Sequence, residues 1–539
     1  MGISLSRGAS AWVCAGLASV LLCGASSQAL AAPAAMKASS AKLEAMQRQL
    51  DDMRAQLDAM RTQGDADAKL SVMQQQLDAM AAQLADLKST QDTATADIIT
   101  LKAPPATAVS LPNGKPAIAT SDGRFTANVR AIVMFDAGKY FQKHNLGTAV
   151  VGRDLNEGTN FRRARFGVDG KLFKDIDYAI IYEFGGSGGE DAGHIQEIWA
   201  QYTRLKPWRI RLGAFEPNIG LAAAVSTSQM PLMERPSPAE IARNVAAGDS
   251  RSALQVAGNG VWGEGDSGIA ARWFLSGAIT GNTVGTINST GGATAQPFDE
   301  QTAVIGRFAI APFSSTDWQA HFGVNAQYVF QPNDATGLGG ANPRYPVQLR
   351  DRPELRIDAT RLIDTGGIDA NHVTVLGGEA GVTIQNFMLD GEYFRYKIDR
   401  RITGAALPNP HFDGWYVEGV WVLTGEPRPY NAGEARFDAP KMNYNFNPAA
   451  GTWGAFELAA RYSDTNLNYN EGAFGAATPV GGVRGGEQKI ATVGVNWYWN
   501  PDIRFMLDWQ HVKVDRLSAT GVQIGQTYNT IALRSQLTF

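Results

Sequence analysis

Three arginines fall within four positions of the stretch Asn160-Phe-Arg-Arg-Ala-Arg-Phe-Gly-Val168. A guanidinium group is planar, permanently charged and able to donate two parallel hydrogen bonds, so such a cluster suits phosphate or carboxylate oxygens. A second set, Arg350, Arg352 and Arg356 in "QLRDRPELRIDATRL", occupies even-numbered positions. On an extended chain these side chains project to one side as a line of charge, along which an ion could pass from one weak site to the next. Each set also has a plainer reading. The first could pair with acids such as Glu183 or Glu197, and the second could be an exposed loop of mixed charge, because Asp351 and Glu354 lie between its arginines.

Enzyme chemistry finds little support. The six histidines (144, 194, 321, 372, 411, 511) are scattered, with no His-x-x-x-His pair and no Gly-x-Ser-x-Gly elbow. "GNGVWG" (258–263) matches a nucleotide-loop pattern formally but lies between strands with no helix after it, and reads as a turn. Cys14 and Cys23 both fall in an N-terminal leader, whose Ala29-Leu30-Ala31 has the form of a signal-peptidase site, so a signal peptide is expected over 1–31. Its apolar core is shorter than the ~20 residues of a membrane-spanning helix. The mature chain then has no thiol chemistry, disulfide or cysteine metal site, and neither metal nor cofactor is expected. Loss of Arg7 with the leader leaves 47 basic and 52 acidic residues. That balance does not point to nucleic acid.

The arginines must be positioned by strands. From Arg124 to Phe539 the apolar period is two: "FTANVRAIVMF", "AHFGVNAQYVF", "WYVEGVWVL", "IATVGVNWYWN" and "IRFMLDWQ" all alternate. Segments of about 8–11 residues, aromatics gathered at strand ends (Trp415, Trp421, Trp497, Trp499, Trp509) and a terminal alternating strand closing on Phe539 fit a transmembrane antiparallel β-barrel. A large soluble array of β-sandwiches is the other architecture with this period. In a barrel, Ala164, Phe166 and Val168 face lipid, so Arg163 and Arg165 face the lumen, as does Arg130. Arg162 has the lipid phase unless the strand begins after it. An arginine turned outward near the bilayer midplane costs ~2–4 kcal/mol, so these groups point inward or sit at the rim. A basic bore attracts anions.

Ahead of the barrel, Leu43, Met46, Leu50, Met53, Leu57 and Met60 alternate spacings of three and four, and the pattern resumes at Leu70, Met73, Leu77, Met80, Leu84 and Leu87. This is the seam of an α-helical coiled coil, placed at 32–101, with a local break near Gly64. Residues 102–123, rich in Pro, Gly and Ser, are expected to be a linker, and the barrel domain runs over 124–539. The coiled coil is expected in the periplasm, where it would trimerise or touch the cell wall. Coiled coil plus barrel also describes trimeric surface adhesins, but their chains contribute only a few strands each, whereas this barrel region is long enough to close alone.

"NFRRARFGVDGKLFKDIDYAIIYEF", "RIRLGAFEPNIGL", "MERP", "RDRPELR", "VLTGEPRPY" and "VGVNWYWN" together resemble the phosphate-selective porin O/P family of outer-membrane channels. The resemblance covers most of 124–539. It implies a trimeric 16-stranded barrel in the outer-membrane lipid, narrowed by inward-folded loops and passing small anions such as phosphate. It also implies constriction arginines at Arg130, Arg162, Arg163 and Arg235, and an arginine ladder at Arg350, Arg352 and Arg356. Departures are visible. Ala223 and Ser228 stand in the loop "GLAAAVSTSQMPLMER", where lysines are expected. Asp177 replaces a basic wall residue and Gln196 an acidic constriction residue. Anion preference survives these changes better than phosphate specificity, leaving a broader anion or carboxylate channel, or a general diffusion porin, as the alternative.

Overall fold

The computed structural model describes residues 43–59, 67–102, 107–110, 116–143, 154–186, 193–248, 250–263, 271–284, 299–314, 318–335, 343–401 and 407–539. The expected leader and the break at Gly64 lie outside these residues. The chain divides into two units, Met1–Ala106 and Thr107–Phe539.

In the first unit are helices α1 (43–59) and α2 (Asp67–Lys102). Leu50, Leu57 and Leu77 are buried, all members of the apolar seam, while Asp51 and Arg54 on the flanks are exposed. The rest of the stripe is less covered: Met46, Met53, Met80, Leu84 and Leu87 are half-buried.

The second unit opens with two short strands inside the expected linker. Thr107–Ser110 pairs with Ala117–Thr120, which in turn pairs with the foot of the first barrel strand. Strand formation here follows from edge pairing, not from local periodicity. The barrel strands are β1 (Thr126–Phe141), β2 (Gly158–Leu172), β3 (Ile176–Glu183), β4 (His194–Tyr202), β5 (Trp208–Phe215) and β6 (Arg251–Trp262). They continue through β7 (Ala271–Thr283), β8 (Thr302–Ser314), β9 (Trp318–Gln331), β10 (Ile368–Ile384) and β11 (Phe387–Arg400). The last are β12 (His411–Val422), β13 (Ala455–Tyr469), β14 (Val483–Tyr498), β15 (Ile503–Asp515) and β16 (Thr527–Thr538). Each pairs antiparallel with the next, and β16 pairs back onto β1, closing a 16-stranded cylinder with no free edge.

Alternation sorts the side chains as hydrocarbon requires. On β15, Leu507 and Trp509 are exposed on the outer wall, while Arg504, Asp508 and Gln510 are buried inside. One aromatic girdle lies at the end with the short turns, where Trp208, Trp262 and Trp273 cluster and Phe313 meets Trp318. The other runs through Tyr328, Tyr393, Trp415, Tyr462 and Trp509. Trp415 and Trp509 are thus in mid-strand, not at the strand ends where the sequence suggested them. The strands extend past the bilayer into the loop side, so the boundary falls partway along them.

Three segments fold into the lumen. Loop 216–250 carries α3 (Leu221–Ala224) and α4 (Ser237–Ala246). Pro238 fits the first turn of α4, where its missing N–H is not needed, and Ile241, Ala242 and Ala246 bury against β11–β13. The short helix α3 is held by Glu392, whose carboxylate accepts from the Leu221 N–H (2.8 Å) and the Ala222 N–H (2.9 Å). Residues 343–367 of the β9–β10 loop enter beside it. Turn 423–454 enters from the opposite mouth and buries Tyr430, Ala435 and Phe437.

Register explains the Arg162 problem. Met134 pairs with Arg163 and Phe135 with Phe161, leaving Arg162 as an extra residue in a β-bulge. A bulge sets two residues against one, so Arg162 and Arg163 both face the lumen while Phe161 stays on the lipid wall. Deleting Arg162 is expected to restore a regular register and leave the barrel folded. Inserting an alanine after Arg163 is expected to turn Phe161 inward and lose most of the folded form. Resistance of the folded barrel to SDS, read by gel mobility before and after heating, checks both outcomes.

Candidate anion constriction

Glu234 on loop 216–250 is the centre of the arginine cluster. Arg162 grips it with Nε (2.8 Å) and Nη2 (3.2 Å), Arg163 reaches it at 3.5 Å, Arg534 at 2.7 Å and Arg356 at 3.7 Å. Burial alone would raise the Glu234 carboxyl, but Arg162, Arg163, Arg534 and Arg356 outweigh it and hold the group well below its ordinary 4.5. Arg534 also makes a bidentate pair with Asp136 (both contacts 2.7 Å), joining β16 to β1 directly across the closing seam. The loop is therefore pinned to the wall by charge, at the place where the barrel itself closes.

All seven sequence-predicted arginines belong to the interior, and their states differ. Arg162 and Arg163 are buried in the Glu234 cluster. Arg235 is buried too, donating to the carbonyls of Ala222 (3.1 Å), Ala223 (3.4 Å) and Val225 (3.0 Å), so it braces the loop. Arg356 bridges loop to loop through Glu240 (2.5 Å) and Glu234. Arg352 is buried, and its Nε donates to the Ala359 carbonyl at 3.1 Å. Arg130 is half-buried beside Asp169 at 3.4 Å. Arg350 is exposed, and among the described residues no acid or acceptor holds it.

The expected straight ladder does not form. Arg350–Asp351 pairs with Ile363–Asp364 as a short hairpin, but the chain then turns at Pro353-Glu354-Leu355, where Glu354 has a φ of 61° and the Leu355 N–H donates to the Pro353 carbonyl (2.8 Å). Even-number spacing places side chains on one side only while a chain stays extended. Arg350, Arg352 and Arg356 nevertheless border one common cavity. The pairing reading holds for Arg165, which donates to Glu183 at 2.7 Å, while Glu197 accepts from Trp199 instead.

Two polar cavities flank the cluster. One, of about 290 Å³, is lined by Arg130, Arg165, Arg211, Arg235 and Arg436 against Glu197, Glu216 and Glu434. The other, of about 370 Å³, is lined by Arg251, Arg350, Arg352, Arg356 and Arg361 against Glu240 and Asp351. Arginine outnumbers acid in both. Burial pushes the Asp351 carboxyl up to about 7 despite the nearby Arg356, so the second cavity is still more positive below neutrality. Arg211, Arg251, Arg361 and Arg436 are lining groups that the sequence reading did not single out. For Arg211 a signal existed: it shares the inward phase of β5 with Arg209, opposite the exposed Leu212. The departures keep their sequence meaning. Ala223 and Gln196 line the first cavity without charge, Ser228 shares a hydroxyl contact with Ser226 (3.2 Å), and Asp177 is taken by Lys171 (2.5 Å).

A closed 16-stranded barrel with an apolar outer wall, girdles and lumen-folded loops defines a porin-type channel of the bacterial outer membrane. Its sequence narrows the class. Residues 144–539 match the phosphate-selective porin O and P family, and the chain belongs to that family. Porin O of Pseudomonas aeruginosa is 24% identical over 420 residues, spanning 74% of this chain and 86% of that protein. An uncharacterised protein of Caulobacter vibrioides is 25% identical over 412 residues, spanning 75% and 73%. Among solved structures, the anion-selective porin from Comamonas acidovorans aligns with 77% of this chain and 100% of its own, at 10% identity and a TM-score of 0.44.

Removing one partner from a buried charge cluster leaves the others uncompensated, at roughly 3–5 kcal/mol. Glu234→Gln is expected to destabilise the anchored loop by about that much. The measurement is the temperature at which the SDS-resistant form is lost, which should fall, together with single-channel conductance, which should rise as the loop swings free. The pH sign follows from the depressed carboxyl. Its stabilisation is complete above the unfolded value near 4.5 and is lost only as pH falls through the lower folded value. An unchanged melting temperature in the variant would remove Glu234 as the anchor.

Proposed function

We propose that this porin conducts small anions through the two arginine-rich cavities, with Arg130 and Arg350 as the groups that meet the solute. Arg162, Arg163, Arg235, Arg352 and Arg356 form the constriction around them by holding the loops in place. The observation that carries the reading is Arg350: an exposed guanidinium over a polar cavity whose lining has five arginines against two acids. Charge-assisted, planar donors suit phosphate and carboxylate alike. The uncharged Ala223 and Ser228 and the lysine-occupied Asp177 favour a broad anion preference over phosphate alone. No residue is assigned a catalytic role.

Reversal potentials of single channels in chloride, phosphate and a dicarboxylate salt test this. The wild type is expected to prefer anions, and combined Arg130→Ala and Arg350→Ala to lower the anion-to-cation permeability ratio several-fold. The same ratio is expected to be higher at pH 6 than at pH 8, because Asp351 gains its negative charge across that interval. Cation preference in the wild type would sink the proposal.

The functional unit in this reading is a homotrimer, with α1 and α2 forming a periplasmic coiled coil that joins three chains or reaches the cell wall. Three-stranded assembly would cover the seam residues that the single chain leaves half-buried, such as Met46 and Met53. Deleting residues 40–101 is expected to lower the detergent resistance of the trimer, measured by crosslinking after detergent exposure. A trimer of undiminished resistance would leave only the cell-wall role.

A further inference from the structure

On the outer wall, away from the seam, β9–β12 carry a shallow apolar groove of about 960 Å³. Its floor is made by the small outward residues Gly378, Ala380 and Gly391, and its sides by Phe322, Leu389 and Trp415. Tyr393 and Trp415, members of the upper girdle, stand directly opposite one another at its loop-side end. One outward position further along β11, about 7 Å by strand rise, comes Arg395, paired across the sheet with Leu376 and Asp413.

Arg395 differs from the other cations of this outer band. Lys139, Lys397, Lys489 and Lys513 each have an acid within hydrogen-bond or ion-pair reach, at 3.5, 2.9, 2.9 and 2.7 Å respectively. Arg395 is exposed and has no hydrogen bond or ion pair among the described residues, even to Asp413 on the neighbouring strand. A guanidinium at this depth is tolerable only near the water boundary, where lipid head groups lie.

We infer that this groove is a specific lipid site: an acyl chain lies along the Gly378–Gly391 floor, and the lipid's phosphate accepts hydrogen bonds from Arg395. Charge complementarity fixes the occupant, since a phosphate supplies the bidentate acceptor that this arginine lacks. Asp413 faces the same surface and opposes the head group, so its removal should strengthen binding.

The test uses full-length porin, stripped of lipid in a neutral detergent and examined by native mass spectrometry with dimyristoyl phosphatidic acid and with dimyristoylglycerol. Phosphatidic acid should be retained and the phosphate-free analogue not. Arg395→Gln removes the fork, and Gly378→Leu fills the groove at a position where an added Cβ meets nothing within 4 Å. Arg395→Gln should lower phosphatidic acid affinity about tenfold, the equivalent of one charge-assisted hydrogen bond, and Gly378→Leu should lower it by occupying the acyl-chain floor. Asp413→Asn should raise it, and all three variants should keep heat-modifiable gel mobility. Equal retention of dimyristoylglycerol, or unchanged affinity in Arg395→Gln and Gly378→Leu, would overturn the assignment. So would loss of the oligomer in Gly378→Leu, which would give the groove to a second copy of the chain.

Discussion

A guanidinium group cannot lie against hydrocarbon without a partner, and this constraint organises the barrel more than any single apolar contact. It sends the arginines of alternating strands into the lumen. Once there, each faces a second demand, because a buried charge needs an opposite charge or several acceptors. Glu234, with four guanidinium groups within 3.7 Å, meets that demand for Arg162, Arg163, Arg356 and Arg534 at once. One carboxylate thereby fixes the loop against the wall beside the barrel seam.

The same accounting separates arginines held by several partners from those with few. Arginines that are buried and held by several acceptors, such as Arg235 with its three carbonyls, have fewer donors left for a passing ion. Arginines at a cavity wall with few or no partners, Arg350 above all, retain theirs. A channel needs both: fixed charges that hold a narrow shape and loosely held ones that bind weakly enough to release. The chain's near-balanced total charge hides this division, because it sums the few acids that hold scaffold arginines, such as Glu234 and Asp136, with all the others.

Much of the fold was legible because the bilayer enforces a strict two-residue period. The inward direction of Arg130, Arg163 and Arg165 followed from phase alone. Arg162 did not, since a bulge depends on which residues of β1 and β2 actually pair. The Arg350–Arg352–Arg356 line failed for a reason the sequence contained: Pro353 lies inside it and disfavours a continuous strand. The role of Glu234 was hidden beside Arg235 in "MERP", because its partners come from positions as remote as Arg162 and Arg534. Turn 423–454 has no alternation to announce that it enters the lumen. The 102–123 stretch gave no sign of its two short strands, which form by pairing with each other and, through Ala117–Thr120, with β1.

The Arg534–Asp136 pair spans 398 residues of chain. Bringing such distant points together costs an entropy on the order of 5 kcal/mol from chain length alone. The joint that turns a curved sheet into a tube is therefore less costly to close once intervening hairpins have shortened the effective path. Until the final strand docks, Asp136 and Arg534 are two unmatched ions at open edges, and an incomplete cylinder is poorly tolerated by lipid. Closure is in this sense self-checking: the Arg534–Asp136 contact joins the first and last barrel strands and exists only in the complete cylinder.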